Sequence, residues 1–358
     1  MPQLVIEYRE GPLGPGLLQE IARLYGAYDP KYRAPEFCEQ LFNHTPAGGS
    51  HHVFAKTETG RYVGHLALIP LFVSTRAGPV LSAKAEAFCL EKEFRILRAA
   101  TSQGTAPAAI ALAQTVYGAA ARAGIPLIHV ITSEPVGLVH QVAGCRKLSF
   151  PCRHWLFFLR RPPWRGGRVA SYAAVRCIHL AQKPMLIYSR FRARASRAAV
   201  AGVDDELLRI AATLRFGEPH QWSFSLDPKN LVWLNNTGHL GGARFPSGGF
   251  ALWSRPDGRS GVCCLLAWYS PDGRTDSAKA LLGQVISGSA QLGASLLSVP
   301  ACAAIDSKSR QALAAACRGR WAFRRPRPDV HDFYVCSRDP QYLKGENFAF
   351  SPMFEGLF

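Results

Sequence analysis

One stretch of this chain narrows its possible folds more than any other, the run from Arg61 to Cys145. It begins with Tyr62-Val63-Gly64-His65-Leu66-Ala67-Leu68-Ile69-Pro70-Leu71-Phe72-Val73, an apolar run that predicts a buried strand. The turn Arg76-Ala77-Gly78-Pro79 leads into a second strand, Val80 to Leu90. A small-residue loop follows, Gln103-Gly104-Thr105-Ala106-Pro107-Ala108, and a helix leaves it and runs to Arg122. Ile110, Ala113, Val116, Tyr117 and Ala120 give that helix one apolar face. Gly124 stops it, and Leu127 to Thr132 reads as a third strand. Strand, strand, loop, helix, strand is an α/β order in which the helix must cover a sheet.

At 358 residues the chain is long for one domain and suits two. Its hydrophobic fraction of 48% and charged fraction of 19% belong to a folded chain. The start, Met1 to Glu7, has neither a basic n-region nor an apolar h-region, so no secretory signal is expected. The longest apolar stretch, Leu281 to Ile305, is broken by Gly283, Gln284, Gly288, Gln291, Gly293 and Pro300. It predicts a buried helix and then a strand, not a membrane span. The ten cysteines form no C-x-x-C pair and no metal spacing, and several sit in apolar runs. They read as buried reduced thiols of a cytoplasmic protein without a metal.

The net charge of +17 calls for an anionic partner or surface. No Asp or Glu occurs from Pro135 to Val203, while thirteen Lys or Arg fall between Arg146 and Arg197. Such a block is either a solvated basic face or an electrostatic footprint for an anionic macromolecule.

The chain also repeats itself. Glu36 to Thr45 precedes Gly48-Gly49, then Phe54-Ala55, a turn ending Gly60-Arg61, and the strand from Tyr62. Asn230 to Thr237 precedes Gly241-Gly242, then Phe250-Ala251, a turn ending Gly258-Arg259, and an apolar strand, Val262 to Tyr269. Each half then continues with a helix, Ala108 to Arg122 or Ser277 to Leu292, and a further strand. This pattern places Val262–Tyr269 where the first half has Tyr62–Val73. His154 to Leu159 reads as the strand closing the first half. The Pro- and Gly-rich segment Arg160 to Arg168 marks a boundary. The domains expected are 1–162, a basic inter-domain segment 163–203, and 204–358.

In its order of elements the stretch from Arg61 to Cys145 resembles the GCN5-related N-acetyltransferases. The resemblance implies two tandem domains of that α/β fold, each a mixed, mostly antiparallel sheet flanked by helices. In that family a loop of pattern Arg/Gln-x-x-Gly-x-Gly/Ala opens the central helix and holds the pyrophosphate of CoA. Backbone N–H groups and the helix dipole favour the anion there. Here Gln103 and Ala108 match, Ala106 stands at the first glycine, and Gly104, Thr105 and Pro107 complete the loop. A competing alignment makes Arg95 to Ala100 the loop. The family's pantetheine arm lies along the fourth strand, which by position is Glu86-Ala87-Phe88-Cys89. Strand alternation sets Lys84, Glu86 and Phe88 on one face and Ala85, Ala87 and Cys89 on the other. Glu86 is then a salt-bridge partner of Lys84 or a general base. A family tyrosine that protonates the departing thiolate corresponds to His140 in His140-Gln141-Val142-Ala143-Gly144-Cys145.

The resemblance therefore implies an N-acyltransferase that takes acetyl-CoA or another acyl-CoA as co-substrate and an amine acceptor. The second half has no such loop between Tyr269 and Leu292, so it reads as a degenerate copy. Two alternatives share the fold. A Fem-type peptidyltransferase would use aminoacyl-tRNA, which the basic block and its aromatics would suit, as they would an acyl carrier protein. A non-catalytic binding protein would explain the missing glycine and tyrosine.

Overall fold

The computed structural model describes residues 3–101, 104–132, 134–160, 180, 182–184, 203–218, 220–238, 240–245, 248–256, 261–318, 322–324 and 329–354. In chain order the elements begin β1 (Val5–Glu10), α1 (Pro15–Tyr25), α2 (Pro35–Asn43), β2 (His51–Lys56), β3 (Tyr62–Thr75) and β4 (Gly78–Leu90). There follow β5 (Arg98–Thr101), β6 (Gly104–Pro107), α3 (Ala108–Arg122), β7 (Leu127–Ile131), α4 (Glu134–Val142), β8 (Arg146–Cys152) and β9 (His154–Phe158). Further on come α5 (Asp205–Ala212), β10 (Trp222–Phe224), α6 (Pro228–Asn236), β11 (Leu240–Arg244), β12 (Phe250–Ser254) and β13 (Val262–Tyr269). The last are α7 (Thr275–Gln291), β14 (Leu296–Pro300), α8 (Ser307–Arg318), β15 (Phe323–Arg324), β16 (Asp329–Ser337) and β17 (Phe348–Ala349). Local chemistry sets several ends. Pro15, Pro35 and Pro228 open helices, where their missing donors are not needed. Asp204 caps α5 by accepting from the Leu207 N–H.

The chain packs as two units. The first comprises Met1–Phe150, His220–Ser225 and His331–Phe348. Its sheet runs β1-β2-β3-β4-β7-β16-β8, with β10 also paired to β3. Strands β1 to β4 are antiparallel, β4 and β7 parallel, β7 and β16 antiparallel. Helix α3 covers it, and Leu66, Leu68, Ala83, Leu112, Val116 and Ile128 share one core cluster. Each such fully buried Val, Leu or Ile contributes about 1.5–3 kcal/mol.

The second unit comprises Pro151–Pro219, Leu226–Val330 and Ala349–Phe358. Its sheet runs β11-β12-β13-β14-β9-β15. Here β11, β12 and β13 are antiparallel, β13 and β14 parallel, and β9 antiparallel to β14 and β15. Helix α7 closes a core with Phe157, Trp253, Trp268, Leu281, Val285 and Leu297.

Strand for strand the sheets agree: β2 answers to β11, β3 to β12, β4 to β13, β7 to β14, β16 to β9 and β8 to β15. This is the tandem α/β plan, with two corrections. Val262–Tyr269 is the counterpart of β4, not of Tyr62–Val73, because it directly precedes the helix and pairs in parallel beyond it. The matching Gly pairs misled: Gly241-Gly242 lies inside β11, whereas Gly48-Gly49 precedes β2. The second correction concerns His154–Leu159. It does form a strand, but in the second sheet, and β16 from the far end of the chain takes the equivalent place in the first. The Arg161–Arg168 part of the boundary segment lies outside the described residues, as does most of the basic block beyond Arg160.

Candidate active site in the first unit

The site grows out of an irregularity in β4. His65 pairs with Cys89 and Ala67 with Glu86, so Ala87 and Phe88 together face the single residue Leu66. That extra residue is a β-bulge. Ala87 sits at φ 51°, and among the described residues it is the one non-glycine with positive φ. An alanine there costs on the order of 1–2 kcal/mol, which the buried strand around it must overcome. The bulge breaks the expected alternation. Phe88 and Cys89, neighbours in sequence, line one cavity together.

The same strand leaves its parallel neighbour. β4 pairs with β7 through Ala83↔Ile128 and Lys84↔His129, and among the described residues the pairing ends there, although β4 runs on to Leu90. The opening holds a cavity of about 420 Å³. Phe88, Cys89 and Leu90 form one wall, and Ala109 in the first turn of α3 another. Pro135, Val136 and Val139 of α4 also line it, with Tyr25 at the end of α1 and Tyr28 just beyond it. Helix α4 is set close by Gly137, where a Cβ would stand 2.0 Å from the Tyr334 ring.

Arg95 is the cavity's charged lining residue. Its Nε donates to the Leu90 carbonyl at 3.1 Å and its Nη2 to the Tyr28 hydroxyl at 3.4 Å. It belongs to the competing alignment of the helix-opening loop. The preferred loop takes another form: Gly104–Pro107 is strand β6, paired with β5 as a hairpin, and α3 begins at Ala108. Gly104, Thr105 and Pro107 are exposed and Ala106 half-buried, while Ala108 is buried with its N–H on the Leu97 carbonyl. Gln103 lies outside the described residues.

Glu86 is engaged on both oxygens. Tyr32 donates its hydroxyl at 2.9 Å, and Lys84 Nζ stands 3.3 Å away with its side chain 3% exposed. Burial, then the Glu86 charge, pushes the Tyr32 and Tyr25 hydroxyls above the ordinary tyrosine range. His140 is 1% exposed, with Nδ1 hydrogen-bonded to the Tyr117 hydroxyl and its ring 5.6 Å from that of Phe88, edge-on. Its Nε2 is buried without a hydrogen-bond partner. Burial pushes its pKa down to about 4, so the ring is neutral at physiological pH. Beneath the bulge, His52 and His65 meet at 3.0 Å, and His52 continues to Ser50 at 2.6 Å.

Sequence reasoning thus placed β4 and α3 but missed Tyr25, Tyr28, Val136 and Val139. The spacing of Val136, Val139 and His140 on one helical face was the available signal.

No family model matches this sequence, and no curated protein matches it. Solved structures do resemble it. A conserved protein of unknown function from Enterococcus faecalis V583, named a probable N-acyltransferase, matches with a TM-score of 0.51 at 10% identity, over 94% of this chain and 74% of that one. Saccharomyces cerevisiae N-myristoyltransferase with bound myristoyl-CoA matches with a TM-score of 0.50 at 10% identity, over 93% and 79%. A GCN5-related N-acetyltransferase from Kribbella flavida matches at 0.46 and 11% identity, over 94% and 72%. With the sheet order and the parted parallel pair, the chain shares the α/β fold of the Enterococcus and yeast structures, built twice.

Proposed function

We propose that the first unit is an acyl-CoA-dependent N-acyltransferase site. The parting of β4 from β7 beside the bulge, opening on the 420 Å³ cavity, carries this reading. An extended pantetheine arm, with two amides, suits a strand edge left unpaired by a neighbour. Its phosphates would lie toward the β5–β6 hairpin and the first turn of α3, where Arg95 and the helix dipole favour negative charge. The acyl chain would take the apolar wall of Phe88, Val136 and Val139. That the yeast neighbour was solved with myristoyl-CoA supports such a co-substrate.

Catalysis would rest on holding thioester and amine together and on polarising the carbonyl from the β4 backbone. Glu86, already bound by Lys84 and Tyr32, orders the strand, and the acceptor amine gives its proton to solvent. His140, neutral near pH 7, supports Phe88, and the departing thiolate takes its proton from solvent. Among the described residues no helix is long and apolar enough to cross a membrane.

Calorimetry with acyl-CoAs of increasing chain length, followed by thiol release with a panel of amines, tests the reading. Acyl-CoA should bind, and Ala109→Asp, which sets bulk and negative charge at the helix start, should weaken it at least about tenfold, or about 1.4 kcal/mol. If no acyl-CoA binds, or the variant binds as well as the parent, the site is not a CoA site. Glu86→Gln separates positioning from base catalysis: a loss below about tenfold with an unmoved pH profile is expected, against about 100-fold or more for a general base.

A further inference from the structure

The second unit carries a cysteine–histidine cluster that the acyltransfer reading leaves unused. Cys152 Sγ lies 2.7 Å from Cys302 Sγ, though the two are 150 residues apart in sequence. Cys152 and His154 are separated by one residue, and the Cys152 sulfur and a His154 ring nitrogen lie within 4.8 Å. Backbone pairing brings the two segments side by side. β9 pairs His154 with Pro300 of β14, and the Ala301 N–H donates to the Arg153 carbonyl at 2.8 Å. The next residue, Cys302, lies on the 3-10 turn Ala301–Ala303. The His154 Nδ1 is hydrogen-bonded to Ser298 Oγ at 2.9 Å, which orients the ring.

We propose that Cys152, His154 and Cys302 bind a divalent metal ion of zinc type in the second unit. Two sulfurs and an imidazole form a donor set for a borderline-soft ion, and a hydroxyl fixing the opposite ring nitrogen is the usual outer partner of a metal-bound histidine. Cys152 is 4% exposed and His154 7% exposed, so an ion there would be largely shielded from water. Binding displaces the thiol protons, and the ion's charge offsets the repulsion of two adjacent thiolates. Zinc–sulfur bonds of about 2.3 Å at tetrahedral angles set the sulfurs roughly 3.8 Å apart. The pair must therefore open by about an ångström, which the half-exposed turn at Cys302 can supply. The remaining tetrahedral position goes to water or another side chain.

The test uses the full chain, purified under reducing conditions, loaded with zinc and dialysed. Elemental analysis should find one zinc per chain, and cobalt loading should give a thiolate-to-metal charge-transfer band. Cys302→Ser should abolish the band while circular dichroism stays native. Ser298→Ala should lower zinc affinity about 10–100-fold without removing a ligand. A chain that retains no zinc and shows no band, or a Cys302→Ser variant that holds zinc as tightly as the parent, overturns the proposal. So does recovery of a metal-free chain with Cys152 and Cys302 joined as a disulfide in intact-mass measurement after zinc loading.

Discussion

In the first unit β4 parts from β7 after Lys84 and the gap stays open as a cavity. In the second, β13 pairs with β14 through Val262, Cys263 and Cys264 and then diverges as well, but the chain covers the gap itself. Trp268 bridges to Ala304, and the Ile305 N–H donates to the Trp268 carbonyl at 3.0 Å. The helix starts differ in the same sense. Before α7, Asp272 accepts from the Arg274 N–H and from the Ser270 and Ser277 hydroxyls, so a carboxylate of the chain already occupies the anion-favouring helix N-terminus. Before α3 a hairpin and Arg95 stand in that place. Both sheets even keep a bulge, at Ala87–Phe88 and at Leu266. A shared fold therefore does not make a site; on the function proposed above, the uncovered strand edge does.

Acid gives the largest expected difference between the units. Burial depresses His52, His65, His129 and His140, with His140 at about 4 and His65 and His129 at about 3, and all four lie in the first unit. Between these values and the ordinary value near 6.5, the unfolded chain binds protons that the folded chain refuses. Their contribution is complete above pH 6.5 and declines on acidification, by about 1.4 kcal/mol per pH unit for each histidine, until the folded pKa is reached. Hydrogen exchange followed from pH 7 to pH 4 should show first-unit peptides losing protection before second-unit ones. Equal loss in both would break the contrast.

Next in size is a pair of truncations at comparable walls. Trp268→Ala should cost about 3–5 kcal/mol, because a fully buried indole closes the second sheet. Phe88→Ala, half-buried at a cavity wall, should cost about 1 kcal/mol or less in stability. It should instead weaken long-chain acyl-CoA binding about tenfold. Thermal melts and calorimetry on the two variants check both halves. A Phe88 variant as unstable as the Trp268 one would mean that the first unit is as closed as the second.

The elements that were legible in sequence owe this to local pattern: β3, β4, α3 and β7 follow one another with apolar runs, turn residues and a stop at Gly124. What was illegible depends on distance. Nothing in His154–Phe158 says that its partners are Leu296–Pro300, or that Phe333–Ser337 returns to Leu127–Ile131. The repeat slipped by one strand because apolar runs of either kind look alike. Arg95 was visible only in the alignment set aside, and the loop at Gly104–Pro107 gave no sign of hairpin pairing. The Cys152–Cys302 pair escaped spacing rules altogether, since those rules read neighbours in sequence.

The smallest effect concerns the bulge that orients the cleft. Glycine adopts φ 51° without the steric cost that alanine bears, so Ala87→Gly relieves about 1–2 kcal/mol in the folded chain. Glycine also has more freedom to lose on folding, which takes back about 0.5–1 kcal/mol. The net change in stability should be within about 1 kcal/mol of zero, with the sign toward stabilisation. If the β4 backbone polarises the thioester as proposed, activity should respond in the opposite direction, because a glycine lets the peptide groups at position 87 leave that geometry. Ala87→Val, with a β-branched side chain in the left-handed region, should destabilise by about 1–3 kcal/mol. Melting temperatures alongside acyl-transfer rates separate these outcomes. If Ala87→Gly transfers as fast as the parent, the bulge is only a packing adjustment, and the first unit differs from the second by its open gap alone.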